Sequence, residues 1–222
     1  MCQPASFIVT VIDGDYVCYW SEKTDSHNDI INEFNLRDVT NIRNEPRLIP
    51  CEIVPPDNNY KLPIKKWIFQ SDIKPSWADM QKVEEICHEQ LKNWYKCHVI
   101  KKGKYTLKGN ISRIILGGEI KIENQTGGDC RFCGNSQGKV SGQTGGDCRF
   151  WDNSQGKVSG QTGGECRFWD NSQGKVSGQI GGACRFYGNS QGKVSGQTGG
   201  ECRFLGNSQE INELKFRVPM KI

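Results

Sequence analysis

The chain has 222 residues, of which 35% are hydrophobic, and a formal net charge of +4. The hydrophobic fraction is low for a thick globular core, and the charge excess is too small to indicate a dedicated nucleic-acid-binding protein. The first residues lack the pattern of a signal peptide and no long apolar run follows, so we expect a cytoplasmic protein without a membrane partner.

The chain opens with the pattern of a β-hairpin followed by a short helix. Residues 6–12 and 15–20 read as strands, and the Asp-Gly pair between them is a strong hairpin signal. Ser26 can cap a helix predicted over 27–34, whose apolar residues share one face. A polar loop is expected after this helix.

Two more strands and the longest helix are predicted next. The strands are placed at 50–54 and 66–70, with a turn-rich segment between them. The helix is predicted over 77–95, with Ser76 as its N-cap and an apolar stripe at helical spacing. We interpret residues 1–103 as an α/β domain that caps the first edge of the repeats that follow.

A glycine-rich 18-residue repeat dominates the rest of the chain. Its Cys-Arg-Phe and Gly-Lys-Val segments alternate apolar and polar residues, which predicts two short strands per unit. A fixed period is typical of a solenoid, in which each coil is stable only when stacked on its neighbours. The sequence therefore predicts a mainly β protein with a β-solenoid of about six coils over 104–209 and a C-terminal cap over 210–222. Two-faced and three-faced windings both fit the period.

Strand alternation predicts which side chains face inward. Cys148 and Phe150 are expected inside, with the large Phe150 near Gly156 and the small Cys148 near Val158. The repeated cysteines are therefore interpreted as buried apolar residues rather than disulfides. A degenerate first coil is predicted near residue 112, where Ser112 would take the place of cysteine.

The sequence gives little indication of a metal site. Cys130 and Cys133 form a C-x-x-C pair, but the other coils have Trp, Tyr or Leu at the second position. On a continuous helix Cys87 and His98 would share a face, whereas His88 and Cys97 would lie opposite each other, so four ligands could not converge. No phosphate loop or nucleophile motif is present. We expect a protein that is not an enzyme and that has no metal and no cofactor.

The outward face of the Cys-Arg-Phe strands is the predicted partner-binding site, because arginine and aromatic residues dominate binding hot spots. Acidic residues two positions before each arginine are expected to neutralise most of the arginine ladder. Ala183 interrupts the acidic pattern, which predicts an unpaired Arg185 that is open to an anionic contact. The lysine ladder on the other strand is interpreted as a solvated face. The predicted site residues are Arg149, Trp151, Arg167, Trp169, Arg185 and Tyr187.

The segments at 20–31, 55–60 and 91–94, together with the tandem Asn-Ser-Gln repeats, carry a resemblance. With them the chain resembles a group of uncharacterised proteins of gut bacteria and their phages. These proteins join a similar N-terminal domain to a variable number of short β-solenoid repeats. The resemblance implies a phage or mobile-element context and transfers no site residues.

The functional hypothesis is a non-enzymatic interaction protein, a phage or prophage inhibitor that binds a host defence protein in the bacterial cytoplasm. The first alternative is a nucleic-acid or nucleotide binder that uses the arginine and aromatic ladder. The second is a structural component of a virion. Self-association as a homo-oligomer is compatible with each of these.

Overall fold

The computed structural model describes residues 5–37, 39–110 and 112–211, and it divides into two units between His98 and Val99. We call them the N-terminal unit and the solenoid unit. The predicted C-terminal cap, 210–222, lies almost entirely outside the described residues.

The N-terminal unit is built on an antiparallel four-stranded sheet of order β2-β1-β3-β4. The predicted hairpin is confirmed: its two turn residues, Asp13 and Gly14, have φ values of 53° and 94°, as a tight two-residue hairpin turn requires. The strands are β1 (Ala5–Ile12), β2 (Asp15–Tyr19), β3 (Ile49–Val54) and β4 (Ile68–Gln70).

Two α-helices accompany this sheet, α1 (His27–Glu33) and α2 (Met80–His98), with short 3-10 turns at Pro56–Asn58 and Ile64–Lys66. Ser26 caps α1 as predicted, and its side chain accepts a hydrogen bond from the Asp29 backbone N–H. The buried stripe of α2 is also as predicted and consists of Val83, Cys87, Leu91, Trp94 and His98.

The predicted start of α2 was wrong. The Asp79 carboxylate accepts hydrogen bonds from the N–H groups of Gln81 at 3.1 Å and Lys82 at 3.4 Å, which makes Asp79 the N-cap. The backbone N–H of Ser76 instead donates to Glu45 Oε1 at 2.7 Å. A contact with a residue 31 positions away therefore holds Ser76 outside the helix.

The solenoid unit consists, in its described part, of two parallel sheets of seven strands each. We call them the Cys-Arg-Phe sheet and the Gly-Lys-Val sheet. The first contains β5 (Val99–Ile100), β7 (Arg113–Ile115), β9 (Asp129–Phe132), β11 (Asp147–Phe150), β13 (Glu165–Phe168), β15 (Ala183–Phe186) and β17 (Glu201–Phe204). The second contains β6 (Lys104–Asn110), β8 (Glu119–Gly127), β10 (Gln137–Ser141), β12 (Gln155–Ser159), β14 (Gln173–Ser177), β16 (Gln191–Ser195) and β18 (Gln209–Glu210).

Equivalent residues of successive coils pair directly, as Cys148 with Cys166 and Lys157 with Lys175 show. The predicted mainly β fold, with a solenoid of about six coils spaced 18 residues apart, is thus confirmed. Because each coil contributes one strand to each of two sheets, the two-faced winding is the observed one.

The solenoid begins before the recognisable repeat. β5 and β6 already pair with β7 and β8, so parallel pairing starts at Val99. In β7 the register differs from the prediction by one residue: Cys130 pairs with Arg113 instead of Ser112. Ser112 is buried, and its hydroxyl accepts a hydrogen bond from the Asp129 N–H at 3.3 Å.

The predicted packing of the large Phe150 against the small Gly156 is confirmed. Phe150 and Phe168 stack with ring centroids 4.7 Å apart, and Gly156 lies against both rings. Cysteine and valine columns complete the apolar interior, where Cys148 and Val158 are at most 1% exposed. None of the described cysteines forms a disulfide bond.

The core also contains a column of glutamines that the sequence reasoning missed. Gln143 is fully buried, its Nε2 donates to the Gly146 carbonyl at 2.8 Å, and its Oε1 accepts from Cys166 Sγ at 3.0 Å. These bonds satisfy buried polar groups between successive coils. The column consists of Gln125, Gln143, Gln161 and Gln179.

Candidate binding surface

A stacked row of aromatic side chains runs across the coils at the end of the Cys-Arg-Phe strands. Trp151 and Trp169 lie with ring centroids 5.1 Å apart and planes inclined by 4°. Trp169 and Tyr187 follow at 4.0 Å and 10°. Cys133 and the 38% exposed Leu205 occupy the same position in the outer coils. We call Trp151, Trp169 and Tyr187 the aromatic column.

The turn after each Cys-Arg-Phe strand positions the side chains of the aromatic column. The Trp151 N–H donates to the Phe132 carbonyl of the preceding coil at 2.8 Å. The N–H groups of Trp169 and Tyr187 make the equivalent bond to the phenylalanine of the coil before each of them. The next residue has positive φ, 58° at Asp152 and 57° at Asp170. Glycine takes this position in the other coils, because glycine and aspartate tolerate this conformation better than most residues. The repeated turn therefore holds each ring in the same orientation.

The arginines on the same sheet are paired with carboxylates, as the sequence predicted for most of them. Arg149 contacts Asp129 at 2.5 Å and Asp147 at 2.9 Å. Arg167 contacts Glu165 and lies 3.9 Å from Asp147. Each of these guanidinium groups is thus held by a carboxylate of its own coil and one of the preceding coil.

The predicted isolation of Arg185 was wrong. With Ala183 in its own coil, Arg185 contacts Glu165 of the preceding coil and Glu201 of the following coil, the latter at 3.3 Å. Burial works against the charged form of Arg185, but the attraction of Glu165 outweighs it and raises the pKa of Arg185. Direct pairing of equivalent strands brings these partners together, although they lie 20 and 16 residues away in the sequence.

Glu165 is the least exposed of the described carboxylates in this row and contacts both Arg167 and Arg185. Burial would raise its pKa, but hydrogen bonding and charge from Arg167, together with Arg185, lower it below the ordinary value. Its side chain is only 15% exposed. The arginine row is therefore a chain of ion pairs that runs parallel to the aromatic column, two residues before it in each coil.

The candidate metal ligands do not converge. Cys87 lies 4.0 Å from Cys18 between sulfur atoms, and contact with Cys18 together with burial raises the pKa of the Cys87 thiol. Within residues 5–37, 39–110 and 112–211, no group of three or more His, Cys, Asp and Glu side chains is arranged to hold a metal ion. None of the described helices is long and apolar enough to cross a membrane.

Of the predicted site residues, the structure places Trp151, Trp169 and Tyr187 in one stack and the three arginines in the neighbouring row of ion pairs. The two-part architecture that the resemblance implied is present. The resemblance to gut-bacterial and phage proteins has no support from sequence comparison. No family model matches the chain, and no curated protein or solved structure shows significant similarity to it.

Proposed function

We propose that the protein is a non-enzymatic binding protein whose solenoid presents the aromatic column to a partner protein. The observation that carries this proposal is the continuous stack of the half-buried rings of Trp151, Trp169 and Tyr187 at the ends of the Cys-Arg-Phe strands. Tryptophan and tyrosine are the side chains that most often dominate binding energy at protein interfaces. Rings that are already stacked lose little conformational freedom on binding, which favours affinity.

The arginine row lies beside the aromatic column and is part of the same proposed binding surface. Arg149, Arg167 and Arg185 are each held by two carboxylates, so their guanidinium groups keep a fixed orientation beside the column. Because the row is largely neutralised, it favours a partner surface of mixed polarity over a strongly anionic one. The proposed contact residues are Arg149, Trp151, Arg167, Trp169, Arg185 and Tyr187.

The partner we favour is a host protein in the bacterial cytoplasm, with the chain acting as a phage or prophage inhibitor of a defence factor. This part of the proposal rests on the resemblance of the chain to gut-bacterial and phage proteins alone. The nucleic-acid alternative receives less support, because the arginines that would contact phosphate already have carboxylate partners. No observation favours a virion component.

The test is capture of a partner from nuclease-treated bacterial lysate, followed by affinity measurement with the purified partner. Trp151→Leu/Trp169→Leu is the diagnostic variant, because Leu205 occupies the same position in another coil and leucine therefore suits the fold. Thr198→Ala, at an exposed turn position, serves as the matched control.

We expect one protein to be retained by the unmodified chain and by Thr198→Ala, with at least about tenfold weaker binding to the double leucine variant, as for hot-spot residues. Equal binding by the unmodified chain, the control and the double leucine variant would show that the aromatic column is not the binding site. Capture that disappears after nuclease treatment would instead support the nucleic-acid alternative.

A further inference from the structure

The outward surface of the Gly-Lys-Val sheet, here called the lysine face, carries three parallel columns of side chains. Lys157 pairs in register with Lys139 on one side and Lys175 on the other. Equivalent side chains therefore repeat at the strand spacing of about 4.8 Å. The columns are Gln137, Gln155, Gln173 and Gln191; Lys139, Lys157, Lys175 and Lys193; and Ser141, Ser159, Ser177 and Ser195.

Among the described strands β6, β8, β10, β12, β14 and β16 of this sheet, acidic residues occur only in β8, whereas the edge strand β18 contains Glu210. In β8, Glu119 contacts Lys104 at 2.9 Å, and Glu123 contacts Lys108 at 3.1 Å. The hydrogen bond from Lys104 and the positive charge of Lys104 lower the pKa of Glu119, so this carboxylate already has a lysine partner. Strands β10, β12, β14 and β16 contain no acidic residue.

Lys139, Lys157 and Lys175 consequently form a line of positive charge on this face. Lys157 and Lys175 are exposed and make no ion pair within the described part of the chain. Like charges directly opposite one another destabilise a sheet. The Cys-Arg-Phe sheet relieves the same repulsion with two carboxylates beside each of Arg149, Arg167 and Arg185. Strands β12 and β14 of the lysine face contain no carboxylate. An anionic ligand lying across the strands would supply the missing counter-charge.

A groove of about 610 Å³ follows the same direction beside the lysines. Amide side chains both donate and accept hydrogen bonds, which suits a ligand rich in hydroxyl groups. The serine column offers hydroxyls on the other side of the lysines. The groove is lined by Asn135, Gln137, Asn153, Gln155, Asn171, Gln173, Asn189 and Gln191.

We propose that the lysine face binds an acidic polysaccharide that lies across the strands, along the stacking direction of the coils. Its carboxylates would contact the lysine column, and its hydroxyls would contact the amide and serine columns. A single-stranded nucleic acid fits less well, because such nucleic acids are held by base stacking on aromatic side chains. Strands β10, β12, β14 and β16 contain no aromatic residue. This site lies on the other sheet from the aromatic column and does not depend on the proposed protein partner.

Calorimetric titration of the full chain tests the proposal with three probes. Polygalacturonate carries a carboxylate on each sugar, its fully methyl-esterified form has the same backbone without charge, and oligo-dT is an anionic strand without sugar carboxylates. Lys157→Gln/Lys175→Gln removes two charges from the lysine face. Lys61→Gln/Lys66→Gln removes the same charge from exposed positions of the N-terminal unit and is the matched control.

We expect polygalacturonate to bind more tightly than oligo-dT and the ester not to bind. The Lys157→Gln/Lys175→Gln variant should bind polygalacturonate at least about tenfold more weakly, while the control stays within about twofold. Thermal unfolding should show both variants folded, since glutamine already occupies an outward column of these strands. Absent binding of polygalacturonate, tighter binding of oligo-dT, or an equal loss in the control variant would each overturn the proposal, and the first two tests use only the unmodified protein.

Discussion

Gly156 lies against the ring of Phe150 so closely that a Cβ atom on Gly156 would be 2.7 Å from two of the ring atoms. The same Cβ would also be 2.7 Å from Phe168 of the next coil. The first coils satisfy this space in another way, since Ile120 takes the glycine position and Ile115 takes the phenylalanine position. At the start of the same core, two isoleucines of intermediate size therefore replace the large phenylalanine and the small glycine.

Gly156→Ala should destabilise the solenoid, because the added methyl group has no space between two rings. We expect the free energy of unfolding to fall by about 1–3 kcal/mol, which is typical of overpacking in a core. Urea denaturation followed by circular dichroism measures the change. Phe150→Leu in the same chain should recover part of the loss relative to the sum of the single changes, because it opens space at the contact. Unchanged stability of Gly156→Ala would contradict the packing.

Asp170 should tolerate glycine better than alanine. Its φ of 57° is unfavourable for alanine, and Gly188 has the corresponding position in the next coil. We expect Asp170→Ala to be about 1–2 kcal/mol less stable than Asp170→Gly, the cost of a left-handed residue with a Cβ atom. Urea denaturation of the two variants side by side gives this difference directly. Equal stability would show that the turn relaxes to negative φ.

Glu165→Gln should weaken the solenoid because it removes a carboxylate shared by Arg167 and Arg185. We expect a loss of about 1–2 kcal/mol near pH 7, between the values for exposed and buried charged contacts. Because the folded-state pKa of Glu165 is lowered, its contribution is complete above the ordinary value of 4.5 and is lost as the pH falls through the folded-state pKa. The stability difference between the two proteins should therefore shrink on acidification.

The control for this pH dependence is Glu89→Gln, at an exposed position of α2. We expect its unfolding free energy to follow that of the unmodified chain at each pH within about 0.5 kcal/mol. A Glu165→Gln difference that grows on acidification would have the wrong sign for a carboxylate with a lowered pKa.

The thiols of Cys148 and Cys184 should resist alkylation in the folded protein. Both are fully buried, and contact with the neighbouring thiols together with burial raises the pKa of each. Only the thiolate reacts rapidly, so iodoacetamide should label them when urea unfolds the solenoid and not before. Mass spectrometry of pulse-labelled peptides measures this. The half-buried Cys133, outside the core column, is the internal comparison. Labelling of Cys148 at the rate of Cys133 under native conditions would contradict the assignment.

Much of the solenoid could be predicted because the 18-residue repeat is visible in the sequence. Period-two alternation placed Cys148 and Phe150 inside, and the aromatic column followed from counting along the repeat. The buried glutamines were missed because a polar residue in a turn usually faces solvent. Only the structure shows Gln143 bonded to a glycine carbonyl and to Cys166.

The partners of Arg185 could not be found from local spacing. The sequence shows Ala183 two residues before it, whereas the lateral neighbours Glu165 and Glu201 become visible only when strands of adjacent coils are aligned. The early start of the solenoid at Val99 was missed for a related reason. β5 pairs with β7 through backbone groups and does not share the repeat's residues.

The unbroken 18-residue register between β9 and β17 has an evolutionary consequence. A duplication or deletion of one whole unit, as unequal recombination between near-identical gene segments produces, would join strands that already match. Each new interface would repeat the contacts of Phe150 with Phe168 and of Gln143 with Cys166. The length of both outer surfaces could thus change by one strand in a single genetic event, with no new core to be selected.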